Sequence, residues 1–242
     1  MTRAILTYHS IDQHSSPISV SPDTFAQHVA YLSSDAVNVV PLDAVVSSTD
    51  PRPTVALTFD DGLSNFASHA WPHLRDHGLP CSLFVVTDCV GETNKWNELP
   101  SIPEQRLLDW DDLGRLASEG VALGAHSQTH ADLPKLPQSR FLEEISGAHA
   151  TLISRTGVSP TAFAYPYGSV NADVATVTRE LYSWGVTTQM ALLGDDDDAL
   201  LLPRIDAFYL KSASRLESLG RPAFARFVRW RRFLRRLRRL GT

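Results

Sequence analysis

Cysteine is scarce in this chain: its 242 residues contain two, Cys81 and Cys89, eight positions apart. Two thiols cannot frame a disulfide scaffold, so they read as buried or idle, and stability has to come from a hydrophobic core. No apolar run approaches the roughly eighteen residues of a membrane span. The start, Met1-Thr2-Arg3-Ala4-Ile5-Leu6, has neither the apolar h-region nor the cleavage site of a secretory signal, and the expectation is a cytoplasmic protein. Histidine is absent beyond His149, and acidic residues are absent from Gly220 to Thr242, where nine arginines fall. The net charge of -5 therefore resolves into +9 on this tail and -14 on the remainder. A basic arm is joined to an acidic body.

With 43% hydrophobic residues, the chain is long enough to bury one α/β core without a second domain. Seven runs read as strands: 4–8, 54–59, 81–87, 121–125, 161–164, 185–191 and 200–205. Helical patterns lie between them. Ser21-Pro22-Asp23 caps a stripe of Phe25, Val29 and Leu32, and segments 65–77, 111–119 and 139–156 each stop at a glycine, Gly78, Gly120 and Gly157. A further helix over 173–184 is capped from Asn171. Alternating strands and helices predict a parallel sheet, and seven strands suggest a distorted or partial (β/α) barrel, whose chemistry would lie at the C-terminal strand ends.

Two of those ends carry unusual residues. The run Thr54-Val55-Ala56-Leu57-Thr58-Phe59 opens into Asp60-Asp61-Gly62, and Val121-Ala122-Leu123-Gly124-Ala125 runs into His126, with His130 four positions on. Either feature alone is commonplace, since Asp-Asp-Gly is usually a turn. Successive side chains on an extended backbone point opposite ways, so one carboxylate can ligate a metal while its neighbour stays free as a base. Two histidines and a carboxylate are a ligand set for catalytic zinc that leaves positions for water and substrate.

Thr58-Phe59-Asp60-Asp61-Gly62, His126-Ser127-Gln128-Thr129-His130 and Phe163-Ala164-Tyr165-Pro166-Tyr167-Gly168 together resemble, in order and spacing, the motifs of the polysaccharide deacetylase family, carbohydrate esterases with a NodB-like domain. The resemblance extends to about Phe208 and implies a NodB-like barrel, assigned to 1–219; the arginine-rich residues 220–242 read separately as a basic amphipathic helix or tail. It further implies a divalent metal on Asp61, His126 and His130, with zinc expected first and cobalt or nickel compatible. Asp60 would be the general base. The backbone N–H of Tyr167 would donate to the oxyanion, and Tyr165, Pro166, Tyr167 and Gly168 would face the substrate.

Two departures from the family pattern stand out. The arginine that usually orients the base is replaced early in the third motif by Ala164, and Arg204 in Leu202-Pro203-Arg204-Ile205-Asp206 is the candidate substitute. The late histidine motif that supplies the general acid is missing, yet Ile5-Leu6-Thr7-Tyr8-His9 ends a strand in histidine at the start of the chain. This resembles the circularly permuted branch of the family, with His9 as the acid. The implied reaction is removal of an N-acetyl group from an amino sugar or polysaccharide. Deformylation or deacetylation of a lipid-linked sugar is the enzymatic alternative, and a barrel that binds glycan without hydrolysing it the non-enzymatic one.

Other features point less far. His69, His73 and His77 border the apolar row Phe66, Ala70 and Leu74 and read as the edge of an amphipathic helix. Asp195 to Asp198 lack the spacing of a calcium loop. Trp96, Trp110 and Trp184 offer faces for sugar rings, although Trp110 reads better as a staple on the helix that follows it. In the tail, Phe227, Trp230, Leu234 and Leu237 form a helical stripe beside arginines. That pattern suits an anionic membrane surface, on the inner face if the protein is cytoplasmic, or an acidic protein, and equally a final helix that closes the barrel with its arginines on the acidic body; no nucleic-acid motif accompanies it.

Overall fold

The structure is a computed structural model that describes residues 1–96 and 100–240; Gly241 and Thr242, the end of the predicted tail, lie outside the described residues. Its strands are β1 (Arg3–Tyr8), β2 (Ser10–Ile11), β3 (Ser19–Val20), β4 (Asn38–Val39), β5 (Thr54–Phe59), β6 (Cys81–Val85), β7 (Ala122–Ala125), β8 (Ala162–Ala164), β9 (Trp184–Val186) and β10 (Ile205–Asp206). The main sheet is parallel throughout, ordered β10-β1-β5-β6-β7-β8-β9, with β4 also paired to β5. Its two edges approach through one segment: Leu202 bridges Val186 of β9, while Ile205 and Asp206 pair with Leu6 and Thr7 of β1. The sheet is thereby curled into the expected barrel-like form.

Strict alternation explains why the strands read as unbroken apolar runs. Ala4, Leu6 and Tyr8, Val55, Leu57 and Phe59, and Leu83 and Val85 pack outward in the larger core cluster. Ile5, Ala56, Phe84, Ala162, Ala164, Val186 and Leu202 pack together inside the barrel. Both faces of the sheet are buried, as parallel sheets require. The inner parity continues at the strand ends through Thr7 and His9, Thr58 and Asp60, and His126, so the polar residues emerge on the inner side of the rim.

The helices are α1 (Pro22–Leu32), α2 (Leu42–Ser47), α3 (Trp71–Asp76), α4 (Trp110–Ser118), α5 (Gln138–Thr156), α6 (Ala172–Leu181), α7 (Ala213–Leu216) and α8 (Pro222–Leu240). Ser21, Asp109 and Asn171 cap α1, α4 and α6 by accepting from the N–H of Thr24, Asp112 and Val174. Several boundaries move relative to expectation. The predicted helix over 65–77 opens with a π-turn at Phe66–Ala70 ahead of Pro72, which has no N–H to give an α-helical bond. The helix expected to reach residue 184 ends at Leu181, and Trp184 begins β9 instead. Strand β9 is shorter than the predicted 185–191, because the chain turns at Thr187 to carry Gln189 to Arg204. The short strands β2, β3 and β4 and helix α2 carry too few periods to show in the sequence.

Candidate active site

The register of β1 on β5, with Tyr8 opposite Phe59, brings His9 beside Asp60 although 51 positions separate them. His9 Nε2 lies 3.8 Å from Asp60 Oδ2. Arg204 reaches the same carboxylate from the segment that joins the two sheet edges. Its two terminal nitrogens donate to Asp60 Oδ1 and Oδ2, each at 2.7 Å, while Nε donates to the carbonyl of Thr187 at 3.0 Å. Thr58 Oγ1 accepts a further Arg204 bond at 3.2 Å and itself donates to Leu6 O at 2.9 Å. The guanidinium is 1% exposed and Asp60 2%, so this is a bidentate pair removed from water with every contact specified. Burial works to raise the Asp60 carboxyl, but the charge and hydrogen bonds of Arg204 prevail and hold it below its ordinary value. It is a carboxylate at neutral pH.

Asp61 follows at φ 73°, turned away from its neighbour by a left-handed backbone. Its Oδ1 lies 3.5 Å from both His126 Nε2 and His130 Nε2, and the ligand atoms of the three side chains fall within 4.8 Å of one another. Among the described residues this is the one cluster of histidine, cysteine and acid able to hold an ion. The row His69, His73 and His77 forms none: His69 Nδ1 bonds to Ile11 O and His77 Nδ1 to His73 O. His126 Nδ1 donates to Ala164 O at 2.7 Å, leaving the Nε2 lone pair for a ligand bond, the arrangement that orients metal-bound imidazoles. Asp61 Oδ1 is buried without any hydrogen-bond donor. A buried carboxylate oxygen that no donor satisfies, facing two imidazole nitrogens, fits a divalent cation. Burial works to raise the Asp61 carboxyl, but the imidazoles of His126, His9 and His130 around it prevail and hold it far below the usual carboxylate range; burial first, then His126, brings His130 down to about 3.

Four non-glycine residues have positive φ among those described: Asp61, Ser127 (61°), His130 (63°) and Tyr167 (59°). All four belong to this site. Such backbones cost on the order of 1 kcal/mol each and persist where the surroundings fix them. Here Glu144 of α5 does much of the fixing. It accepts from the N–H groups of Gln128 and Thr129, both at 2.9 Å, and from Thr129 Oγ1 at 2.7 Å, while Ser127 Oγ accepts from His130 N.

Tyr167 stands edge-on to His130, ring centroids 4.6 Å apart, and Trp96 stacks on the same imidazole at 4.9 Å. With Thr129, Ala131, Asp132 and Lys135 they wall an open cleft of about 440 Å³ above His130. Of the three tryptophans suggested for sugar contact, Trp96 alone lies there. Trp110 packs at the start of α4 beneath Arg155, and Trp184 lies at the opposite end of the barrel, beside Leu42 and Ala122. Two of the four residues assigned to substrate need correction. Tyr165 and Pro166 are buried, and the Tyr165 ring packs on Phe163 in the outer core. Parity is the reason: Tyr165 continues the outward series of Phe163, which the alternation along this strand already implies. Tyr167 and Gly168 do reach the surface.

Sequence reasoning missed Glu144, whose helical position looks like any amphipathic acid. It also missed Asp206, whose carboxyl is raised by burial and feels the opposing charge of His9. A network of Ser10, Asn65, Gln105 and Asp12 behind His9 was equally silent, because it joins residues 95 positions apart; Ser10 Oγ donates to Gln105 Oε1 at 2.8 Å and Asn65 Nδ2 to Ser10 Oγ at 2.6 Å.

The sequence profile of the family described as polysaccharide deacetylase matches residues 47–183, more than half of the chain. The chain belongs to the polysaccharide deacetylase family. A poly-beta-1,6-N-acetyl-D-glucosamine N-deacetylase of Staphylococcus epidermidis is 24% identical over 202 residues, covering 78% of this chain and 70% of the relative. The structure of the Streptococcus pyogenes deacetylase PplD in complex with acetate superposes with a TM-score of 0.78 at 22% identity, covering 92% of this chain and 99% of that one. The structure of IcaB from Ammonifex degensii gives 0.73 at 23% identity, over 88% and 97%. This deacetylase therefore has the curled parallel sheet of its family, and the match spans β5 to the start of β9, where Asp60, Asp61, His126, His130 and Tyr167 lie.

Proposed function

We propose that this deacetylase hydrolyses the N-acetyl group of an amino sugar within a glycan, with a divalent cation held by Asp61, His126 and His130. The observation that carries the reading is the pairing of an ionised, arginine-clamped Asp60 with an adjacent carboxylate that is donor-free and flanked by two imidazoles. When bound, the cation would supply Lewis-acid polarisation of the acetamide carbonyl and acidify water, and an Asp-His-His set admits zinc, cobalt or nickel.

The residues divide the remaining work. Asp60 accepts the proton of the attacking water; Arg204 keeps it ionised and aimed. The tetrahedral carbon then carries an oxyanion, to which the Tyr167 backbone N–H donates. His9, on the other flank of Asp60, protonates the leaving amine as the C–N bond breaks, giving acetate and the free amino sugar. Trp96 and Tyr167 offer ring faces for the pyranose in the cleft over His130. With His9 as the acid, the strand that bears it would come first in the chain, as in the circularly permuted branch that the motifs resemble.

The test is release of acetate from N-acetylglucosamine oligomers by protein stripped of metal and reloaded with zinc, cobalt or nickel. Acetate released only by the reloaded protein supports the reading. Formate released from N-formyl sugars in preference to acetate would favour the deformylase. Release of neither, with no metal retained, would favour a glycan-binding barrel.

A further inference from the structure

Helix α8 has two apolar faces, and the barrel uses one. Phe224 and Val228 are buried against the body, and Arg231 lies over the rings of Tyr209 and Phe227 on the same side. The opposite face carries Trp230, Phe233 and Leu237, exposed to 59%, 51% and 50%. The stripe expected from sequence is thus divided: Phe227 and Leu234 lean toward the barrel, and Phe233 joins Trp230 and Leu237 outside. Spacings of three and four residues align those side chains in one row, and the Trp230 and Phe233 rings stack on each other at 5.8 Å. Such large apolar side chains at half exposure are the exception elsewhere on this molecule, and three of them share this row. Arg226, one turn ahead of Trp230 in the same row, and Arg229 beside it are exposed, and no acid occurs between Gly220 and Thr242.

We propose that this outer face of α8 docks the protein on an anionic lipid bilayer, with Trp230, Phe233 and Leu237 at the headgroup and acyl boundary and Arg226 and Arg229 on the headgroups. The charge pattern selects this occupant. A second copy of the chain would set one arginine-rich row against another with no carboxylate between them, whereas an anionic surface neutralises the arginines in and beside the stripe. The helix is also placed for it. Gly220 packs on Pro53 at the start of β5, and by its second half α8 has reached Tyr209 and a cavity of about 310 Å³ walled by Arg232, Arg235, Gly168 and Thr187. It therefore runs from the N-terminal end of the sheet to the rim that holds the candidate active site, which docking would bring to the lipid surface.

Flotation of the full chain with vesicles of phosphatidylcholine alone, or of phosphatidylcholine mixed with phosphatidylglycerol, tests this without reference to catalysis. Wild-type protein should float with the mixed vesicles and stay behind with the neutral ones. The variant W230S/F233S/L237S should bind at least about tenfold more weakly, and R226Q/R229Q roughly tenfold. Both should keep the wild-type melting temperature and the same acetate release from soluble oligomers, so a loss of binding cannot be a loss of fold. The proposal is overturned if wild-type protein does not float, if the apolar variant floats as well as wild type, or if the stripe instead sustains a dimer in size-exclusion chromatography that the apolar variant dissolves.

Discussion

Arg204 is the residue whose single replacement reads out most of the site. Its guanidinium forms the bidentate pair with Asp60 inside the barrel, so Arg204→Met leaves a buried carboxylate without its counter-charge, and cutting one partner from such a pair costs about 3–5 kcal/mol. Asp60 has a lowered pKa in the folded protein, so its contribution to stability is full above the ordinary carboxylate value and fades as pH falls through the lower folded one. In Arg204→Met burial loses its main opponent, with only His126 and His9 left against it, and the carboxyl rises. The acid limb of the pH profile of kcat/KM should therefore move to higher pH, and the melting temperature should fall most at neutral pH; an unmoved acid limb would remove Arg204 from the base. Gly168 is a second sensitive residue. At φ 68° it turns the chain against Thr188, and an added Cβ would lie 2.1 Å from Thr188 Oγ1 and 2.5 Å from its backbone nitrogen. Gly168→Ala should displace the neighbouring Tyr167 N–H and lower kcat more than it raises KM, measured on soluble oligomers.

At the scale of elements, the decisive arrangement is one loop held by one helix. The 126–130 segment makes two left-handed turns within four residues, and Glu144 of α5 holds it through three hydrogen bonds. Glu144→Gln keeps the volume but turns one acceptor into a donor facing the N–H groups it formerly bound. We expect metal affinity to drop about ten- to a hundredfold, as for other groups that orient ligands, with the fold intact by circular dichroism. Unchanged affinity would make the clamp a purely local brace. The strand and helix pattern was legible because both periods were clean: buried runs ended in the Asp60-Asp61 pair and in His126, and glycines stopped the helices. Even the inward parity of His9, Asp60 and Arg204 follows from alternation, and the same alternation, carried to Tyr165, points that ring into the core. Glu144, Asp206 and the Ser10, Asn65 and Gln105 network were not legible, since an ordinary polar residue becomes a site residue only through the tertiary contact it makes. The two-faced character of α8 was half legible, because the sequence shows the stripe but not which row the barrel covers.

For the whole molecule, the curled sheet gathers at one rim residues drawn from the first strand, the third motif and the last strand. Helix α8 is part of that body, with Phe224 wholly buried among the core residues. Phe224→Ala should cost roughly 3–5 kcal/mol in a denaturant titration, whereas Trp230→Ser should stay within about 0.5 kcal/mol of wild type. Equal costs would mean that the two faces of the helix are not distinguished as described. The central claim is the division of labour between neighbouring carboxylates, and metal content measured beside acetate release in Asp60→Asn and Asp61→Asn tests it most directly. Wild type should hold one metal ion per chain; Asp60→Asn should match it and release almost no acetate, while Asp61→Asn should lose the metal itself. Loss of metal from Asp60→Asn as complete as from Asp61→Asn, or wild-type turnover by Asp60→Asn, would contradict it.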